Sequence, residues 1–277
     1  MKVAVVGLGL IGGSFALEMK RLKNVVVGLD KNVKHREHAL DLGIVDEIAK
    51  DLQSIKNLDL IVLATPVKAI KEDLPGILNE IENGQMVIDL GSTKKQITGM
   101  VSSHPKRSQY LACHPMAGTE FSGPEAAVKN LFRDRFMVIC EKEKTNKKMA
   151  SQLEQLFLSM GMELIYYDPE AHDKHAAYVS HISHITSFAL ANTVLEKEEN
   201  EKDIFQLAAG GFTSTVRLAK SNADTWSEIF LENRLEVLDV LSENIHQLEE
   251  FKKAIEENNQ EGLKEMMASA NQIRKIV

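Results

Sequence analysis

The chain has 277 residues, 44% of them hydrophobic, enough for one or two buried cores and far from the composition of a disordered protein. Its 40 acidic and 33 basic residues give a net charge of −7, which argues against a nucleic-acid surface and leaves any anionic ligand dependent on a local cluster of cations. No apolar run nears the roughly 18 residues of a membrane span, and the N-terminus enters a strand without a leader pattern, so a cytoplasmic protein without a membrane partner is expected.

Lys2 to Val6 is a short Val-rich run that reads as a strand buried on both faces. Gly7-Leu8-Gly9-Leu10-Ile11-Gly12 follows directly, then a helix over roughly Ile11 to Lys20. Gly7 permits the tight turn, Gly9 lets backbone approach a pyrophosphate, and Gly12 lets the helix lie close on the sheet. Leu10 and Ile11 open that helix, whose unpaired N–H groups and dipole face the phosphates. A second strand, Val25 to Leu29, ends in Asp30, placed to bond both ribose hydroxyls. Asp30 therefore predicts NAD rather than NADP, although Lys31 and Arg36 soften the preference.

Further strands are expected at Leu60 to Ala64, Met86 to Asp89, Tyr110 to Cys113, Phe136 to Cys140 and Glu163 to Tyr166, with amphipathic helices such as Val67 to Glu80 and Asn146 to Met160 between them. The two cysteines, Cys113 and Cys140, sit in strand-like apolar surroundings and read as buried reduced thiols. This alternation predicts an α/β fold: a doubly wound, Rossmann-type NAD-binding domain over 1–168, then an all-α substrate-binding and dimerisation domain over 169–277. Helix breaks are expected near Glu196 to Lys202, Ala209 to Thr213 and Asn258 to Gly262. A single helix from Asp224 to Asn258 would run about 50 Å, with Leu238, Leu241, Ile245, Leu248, Phe251 and Ile255 as an apolar stripe that a second copy of the chain would cover.

Ligands of open α/β sheets sit beyond the carboxyl ends of the strands. Three such ends stand out: Thr65-Pro66; Gly91 to Lys94, with Ser92; and His114-Pro115-Met116-Ala117-Gly118-Thr119-Glu120. His114 is suited to take a hydroxyl proton as hydride leaves the same carbon, and Ser92 and Glu120 can orient the ring or bond that hydroxyl. A structural histidine is the alternative. The stretch from Asp168 to His184 holds four of the nine histidines. His181 and His184 are helical neighbours facing the interdomain cleft, with Ser180 one turn before His184. His172 and His175 read as solvated or capping side chains, and a zinc site lacks its third ligand. Gly210-Gly211 reads as a break that lets backbone approach a ligand, and Arg217 suits a carboxylate; Trp226 follows nine residues later.

Taken together, Gly7 to Ser14, Asp89 to Lys94, His114 to Glu120, Ser180 to His184, Gly210 to Phe212 through Arg217 to Ala219, and Trp226 resemble the prephenate dehydrogenase family, over nearly the whole chain. The resemblance implies oxidative decarboxylation of prephenate to 4-hydroxyphenylpyruvate with NAD(P), without a metal. It implies His114 and Ser92 as catalytic. His184, Ser180, Arg217, Gly210, Glu120, His181 and Trp226 are then substrate-binding, and Gly7, Gly9, Leu10, Ile11, Gly12, Asp30, Thr65, Pro66 and Ser92 cofactor-binding. Ser214 departs from the family, whose members often carry Asp there. No ACT domain or fused chorismate mutase is expected, and tyrosine feedback, if present, would then act in the catalytic site. Arogenate or dual-specificity cyclohexadienyl oxidation is the runner-up; a β-hydroxyacid dehydrogenase using Lys174 and a non-catalytic NAD sensor are the further alternatives.

Overall fold

The computed structural model describes residues 1–200 and 203–276. Its first part runs β1 (Lys2–Val6), α1 (Leu10–Arg21), β2 (Val25–Leu29), α2 (Val33–Asp41), β3 (Glu47–Ile48), β4 (Leu60–Leu63), α3 (Val67–Glu80), β5 (Met86–Asp89), α4 (Lys95–Met100), β6 (Tyr110–Pro115), β7 (Phe136–Cys140), α5 (Lys147–Ser159) and β8 (Glu163–Tyr167). The strands form one 8-stranded sheet in the order β3-β2-β1-β4-β5-β6-β7-β8. All pairs are parallel except β6 with β7, which runs antiparallel with His114 opposite Val138. The two-residue β3 pairs with β2 and is too short to carry an alternation pattern in sequence.

The strands are buried on both faces because successive side chains alternate between two cores. Val3 and Val5 join Phe15 and Met19 of α1 and Phe157 of α5 on one face. Ala4 and Val6 join Ile70, Leu74 and Leu78 of α3 on the other. Cys113 and Cys140 are buried free thiols, and burial pushes Cys140 up to about 12.

After β8, Asp168 caps the next helix, its side chain accepting from the backbone of Glu170 and Ala171, with Pro169 in the first turn. The remainder is helical: α6 (Pro169–Ala176), a π-helical turn at Ala177–His181, α7 (Ile182–Asn200), α8 (Gly210–Thr215), α9 (Ala223–Glu232), α10 (Arg234–Glu256) and α11 (Gln260–Ala270). Three expectations need correcting. α7 continues through Glu196 to Asn200, while Glu201 and Lys202, the rest of that expected break, lie outside the described residues. Gly210 and Gly211 open a short helix rather than breaking one, because Ala209 is extended and acts as its N-cap. The long helix is interrupted at Asn233, whose buried side chain turns inward to donate to the Asp173 carbonyl at 2.7 Å. No helix among the described residues is long and apolar enough to cross a membrane.

Candidate active site

The strand order reverses direction of travel at β1 and β4, and the crevice beyond their carboxyl ends opens there. Gly7 has φ +92, and a Cβ on it would come within 2.6 Å of the Ala64 carbonyl oxygen. A Cβ on Gly12 would overlap the Gly7 carbonyl oxygen at 1.8 Å, so α1 lies against the glycine turn only because Gly12 has none. At Gly9, by contrast, a Cβ would meet nothing within 4 Å and would project into open space that a ligand can use. Asp30 closes the turn: its Oδ2 accepts the Leu8 N–H and its Oδ1 the Asn32 N–H, both at 2.8 Å.

A cavity of about 1240 Å³ extends from this turn. Pockets for small ligands run to about 1,000 Å³, so there is room for a dinucleotide together with a second, smaller molecule. Gly7, Gly9, Leu10, Ile11, Asp30, Thr65, Pro66 and Ser92 all line it, as do Glu120 and Trp226. Thr65 Oγ1 is buried with no protein partner, an orphaned hydroxyl that a bound ligand would satisfy. Gly12 does not line the cavity; its part is packing.

Six further expected residues stand outside that lining: His114, Ser180, His181, His184, Gly210 and Arg217. Several touch residues that line it. Arg217 Nη1 donates to Glu120 Oε2 at 3.0 Å. The Glu120 carboxyl is held low by its own backbone N–H and by Arg217. His184 stacks on Trp226 with ring centroids 3.3 Å apart, and His181 meets the same indole edge-on at 6.1 Å. His184 Nδ1 donates to the Ser180 carbonyl at 3.0 Å. Ser180 belongs to the π-helical turn and His184 to the start of α7, and such a turn is common at functional positions and has no sequence signal of its own. Gly210 is exposed at the start of α8, the helix that leads to Arg217.

His114 lies near the end of β6 and Ser92 just after the neighbouring β5: Asp89 of β5 pairs with Ala112 of β6, and each of the two residues comes shortly beyond that pair in sequence. Burial, then the neighbouring His172, Lys94 and His181, push His114 well below the ordinary histidine range. The ring is therefore neutral near pH 7, the form a general base needs. Burial likewise lowers His181 to about 4 and lowers His184.

One expectation is overturned outright. His172, read as solvated or capping, is 2% exposed and lies 2.8 Å from His114, Nε2 to Nδ1. The available signal was helix phase: once Asp168-Pro169 fixes the start of α6, His172 falls one turn before the buried Ala176 and on its face. His175 is exposed and sits edge-on to Tyr167, in keeping with its surface reading. Among the described residues no group of three or more His, Cys, Asp or Glu side chains could hold a metal ion.

Two family models match the chain in succession. A nucleotide-binding domain of prephenate dehydrogenase covers residues 15–166, and a prephenate dehydrogenase dimerization domain covers 168–269. The prephenate dehydrogenase of Bacillus subtilis is 30% identical over 98% of this chain and 75% of its own length. Among solved structures, prephenate dehydrogenase from A. aeolicus, in complex with hydroxyphenyl propionate and NAD+, superposes with a TM-score of 0.89 at 30% identity, covering 100% of this chain and 98% of that one. Synechocystis arogenate dehydrogenase gives 0.79 at 28% identity, covering both chains in full, 100% each.

Proposed function

The chain belongs to the prephenate dehydrogenase family of oxidoreductases, and on that premise we propose that it oxidises prephenate to 4-hydroxyphenylpyruvate and CO₂ with NAD, on the route to tyrosine. The observation that carries this reading is the single cavity that joins the glycine turn and Asp30 to Ser92, Glu120 and Trp226. Gly9 and the orphaned Thr65 hydroxyl fit a dinucleotide pyrophosphate and its neighbourhood, and Asp30 suits an unphosphorylated ribose. When bound, the nicotinamide supplies the hydride acceptor. His114 takes the proton of the ring hydroxyl, Ser92 bonds the same oxygen, and loss of the ring carboxylate as CO₂ completes aromatisation.

Arg217 holds a substrate carboxylate in exchange for Glu120, with His184, Ser180, His181, Gly210 and Trp226 around the side chain. Arg217→Gln is expected to raise KM for the substrate at least tenfold while lowering kcat by less than threefold, because a carboxylate clamp acts on ground and transition states alike. Steady-state kinetics decide this; a pure kcat defect contradicts the assignment.

Arogenate is the second reading. It is favoured by the whole-length likeness to the Synechocystis enzyme and by His184, whose Nδ1–H is committed to the Ser180 carbonyl, so that the neutral ring offers Nε2 as an acceptor for an ammonium group. Side-by-side kinetics with prephenate and arogenate, each with NAD and NADP, decide among the readings. Turnover highest with prephenate and NAD is expected, and silence with both substrates sinks the proposal.

The working unit is a homodimer. Leu235, Leu238, Ile245, Leu248 and Ile255 of α10 are 46–74% exposed, while Val237 and Val240 on the inner face are buried. An apolar stripe of that length requires a partner surface. Light scattering is expected to give about twice the 30.9 kDa of one chain; a mass of one chain refutes the dimer.

A further inference from the structure

A line of hydrogen bonds stands behind His114. Its Nδ1 lies 2.8 Å from His172 Nε2, and the two rings meet edge to face with centroids 5.1 Å apart. On the far side, His172 Nδ1 lies 2.7 Å from Asp173 Oδ1. Asp173 is 3% exposed, and its position is fixed from three directions. Oδ1 accepts the backbone N–H of Lys94 at 2.6 Å, Oδ2 accepts that of Lys95 at 3.0 Å, and Asn233 donates to the Asp173 carbonyl.

With His172 as a neutral ring, the hydrogens along this line have one self-consistent arrangement. A carboxylate has no hydrogen to give, so the hydrogen shared with His172 belongs to His172 Nδ1. In neutral His172 the lone pair is then on Nε2, and the hydrogen between the two rings belongs to His114 Nδ1. His114 is left with its lone pair on Nε2, a nitrogen that hydrogen-bonds no described residue.

We propose that His172 and Asp173 are positioning residues for His114, holding its ring as the Nδ1–H tautomer so that Nε2 is the atom that takes the substrate proton. This rests on the reading of His114 as the base and adds to it which nitrogen acts and what fixes it. The arrangement follows the logic by which a buried carboxylate orients a histidine in hydrolase triads, with a second imidazole interposed. When the substrate O–H bond breaks, its proton goes to His114 Nε2 and its electron pair stays on the oxygen. The charged ring then keeps its Nδ1–H bond to His172, so no further proton has to move. The groups facing His114 from the packed elements are His172 of α6, His181 of the π-helical turn and the Lys94 ammonium before α4, of which the ammonium opposes a positive ring while neutral His172 accepts its Nδ1–H. The Lys94 ammonium is paired with the Asp89 carboxylate, and the Asp173 carboxylate lies one ring behind His114, against His172.

Two measurements on the full-length protein test the proposal. Nitrogen-15 NMR of labelled histidines at pH 7.5, without substrate, is expected to find His114 in the Nδ1–H form, and to find the Nε2–H form dominant in His172→Leu. In kinetics with whichever of prephenate or arogenate the wild type turns over, His172→Leu is expected to lower kcat about 100-fold or more, within the range for general-base catalysis. The KM values for substrate and NAD should stay within threefold. His172→Gln, whose amide oxygen can accept the His114 Nδ1–H, should regain about tenfold, which a merely structural role would not give. Asp173→Asn also uncaps α4, so it is read only where NAD affinity is kept, with the same kcat loss expected. An Nε2–H tautomer in the wild type, or kcat of His172→Leu within threefold of wild type, overturns the proposal. If the wild type oxidises neither substrate, the functional reading fails, while the NMR measurement still decides the tautomer.

Discussion

Replacing His114 by Asn lowers kcat by about three orders of magnitude and leaves NAD affinity within threefold of wild type, as measured by turnover and by titration of the cofactor. Asn can keep a polar atom near where Nδ1 meets His172, so the packing behind β6 is largely retained. What disappears is Nε2, and general-base assistance is worth roughly 10² to 10⁴. Unchanged turnover would remove His114 from the chemistry. The pH dependence of the wild type carries the same assignment. His114 acts when unprotonated, and burial with His172, Lys94 and His181 keeps its proton affinity well below the ordinary value of 6.5. Activity is thus lost only as pH falls through that lowered value. In the free enzyme kcat/KM should be level from pH 8 down past 6.5, with the acid limb below it. A limb at or above pH 7 would contradict the burial argument.

The dinucleotide crevice was legible because each of its parts has a local sequence cause. Gly7 and Gly12 are forced by contacts a Cβ would break, and Asp30 ends a strand whose length is set by Val25 to Leu29. Local pattern carries no such signal where long-range contacts override it. Trp226 to Ile255 keeps a helical period across Asn233, so nothing local marks the interruption; the cause is the Asp173 carbonyl and His181, brought there by a different helix. His172 is buried for the same reason. A histidine in a polar stretch looks solvated until α6 is packed against β7 and α4 and its ring becomes buried beside His114. The π-helical turn at Ala177–His181 shifts the phase between His172 and His184, which periodicity with a fixed helical repeat cannot anticipate. Of the six residues expected in the stripe of α10, Leu238, Ile245, Leu248 and Ile255 are exposed in spite of the interruption, while Leu241 and Phe251 are half-buried.

Beneath the two strand ends lies the element on which the geometry of Ser92 depends, and Asp89→Asn is expected to cost about 3–5 kcal/mol of stability. Asp89, Lys94 and Tyr110 are all 0% exposed. Asp89 Oδ2 pairs with the Lys94 ammonium and accepts the Gly91 N–H at 3.0 Å, while Oδ1 accepts the Tyr110 hydroxyl at 2.5 Å. Burial and the Asp89 charge push the Tyr110 phenol far above its usual range, so it stays a donor at every accessible pH. The amide of Asn removes the one negative partner that a buried ammonium has among the described residues and forces an N–H₂ group against two donors. Breaking such a pair from one side costs far more than the intact pair contributes, because the remaining ion stays desolvated. Domains of this kind are stable by only about 5–15 kcal/mol, so the urea midpoint should move far enough to see in a single titration. Lys94→Met alone should cost less than Asp89→Asn, since the carboxylate keeps Tyr110 and Gly91 as donors. The double variant should fall short of the summed single losses by 1 kcal/mol or more, roughly the coupling of residues in one network. Strict additivity would mean that the ammonium and the carboxylate do not depend on each other. The turn from Gly91 to Lys94, which carries Ser92 and gives α4 its hold on Asp173, would then need another anchor.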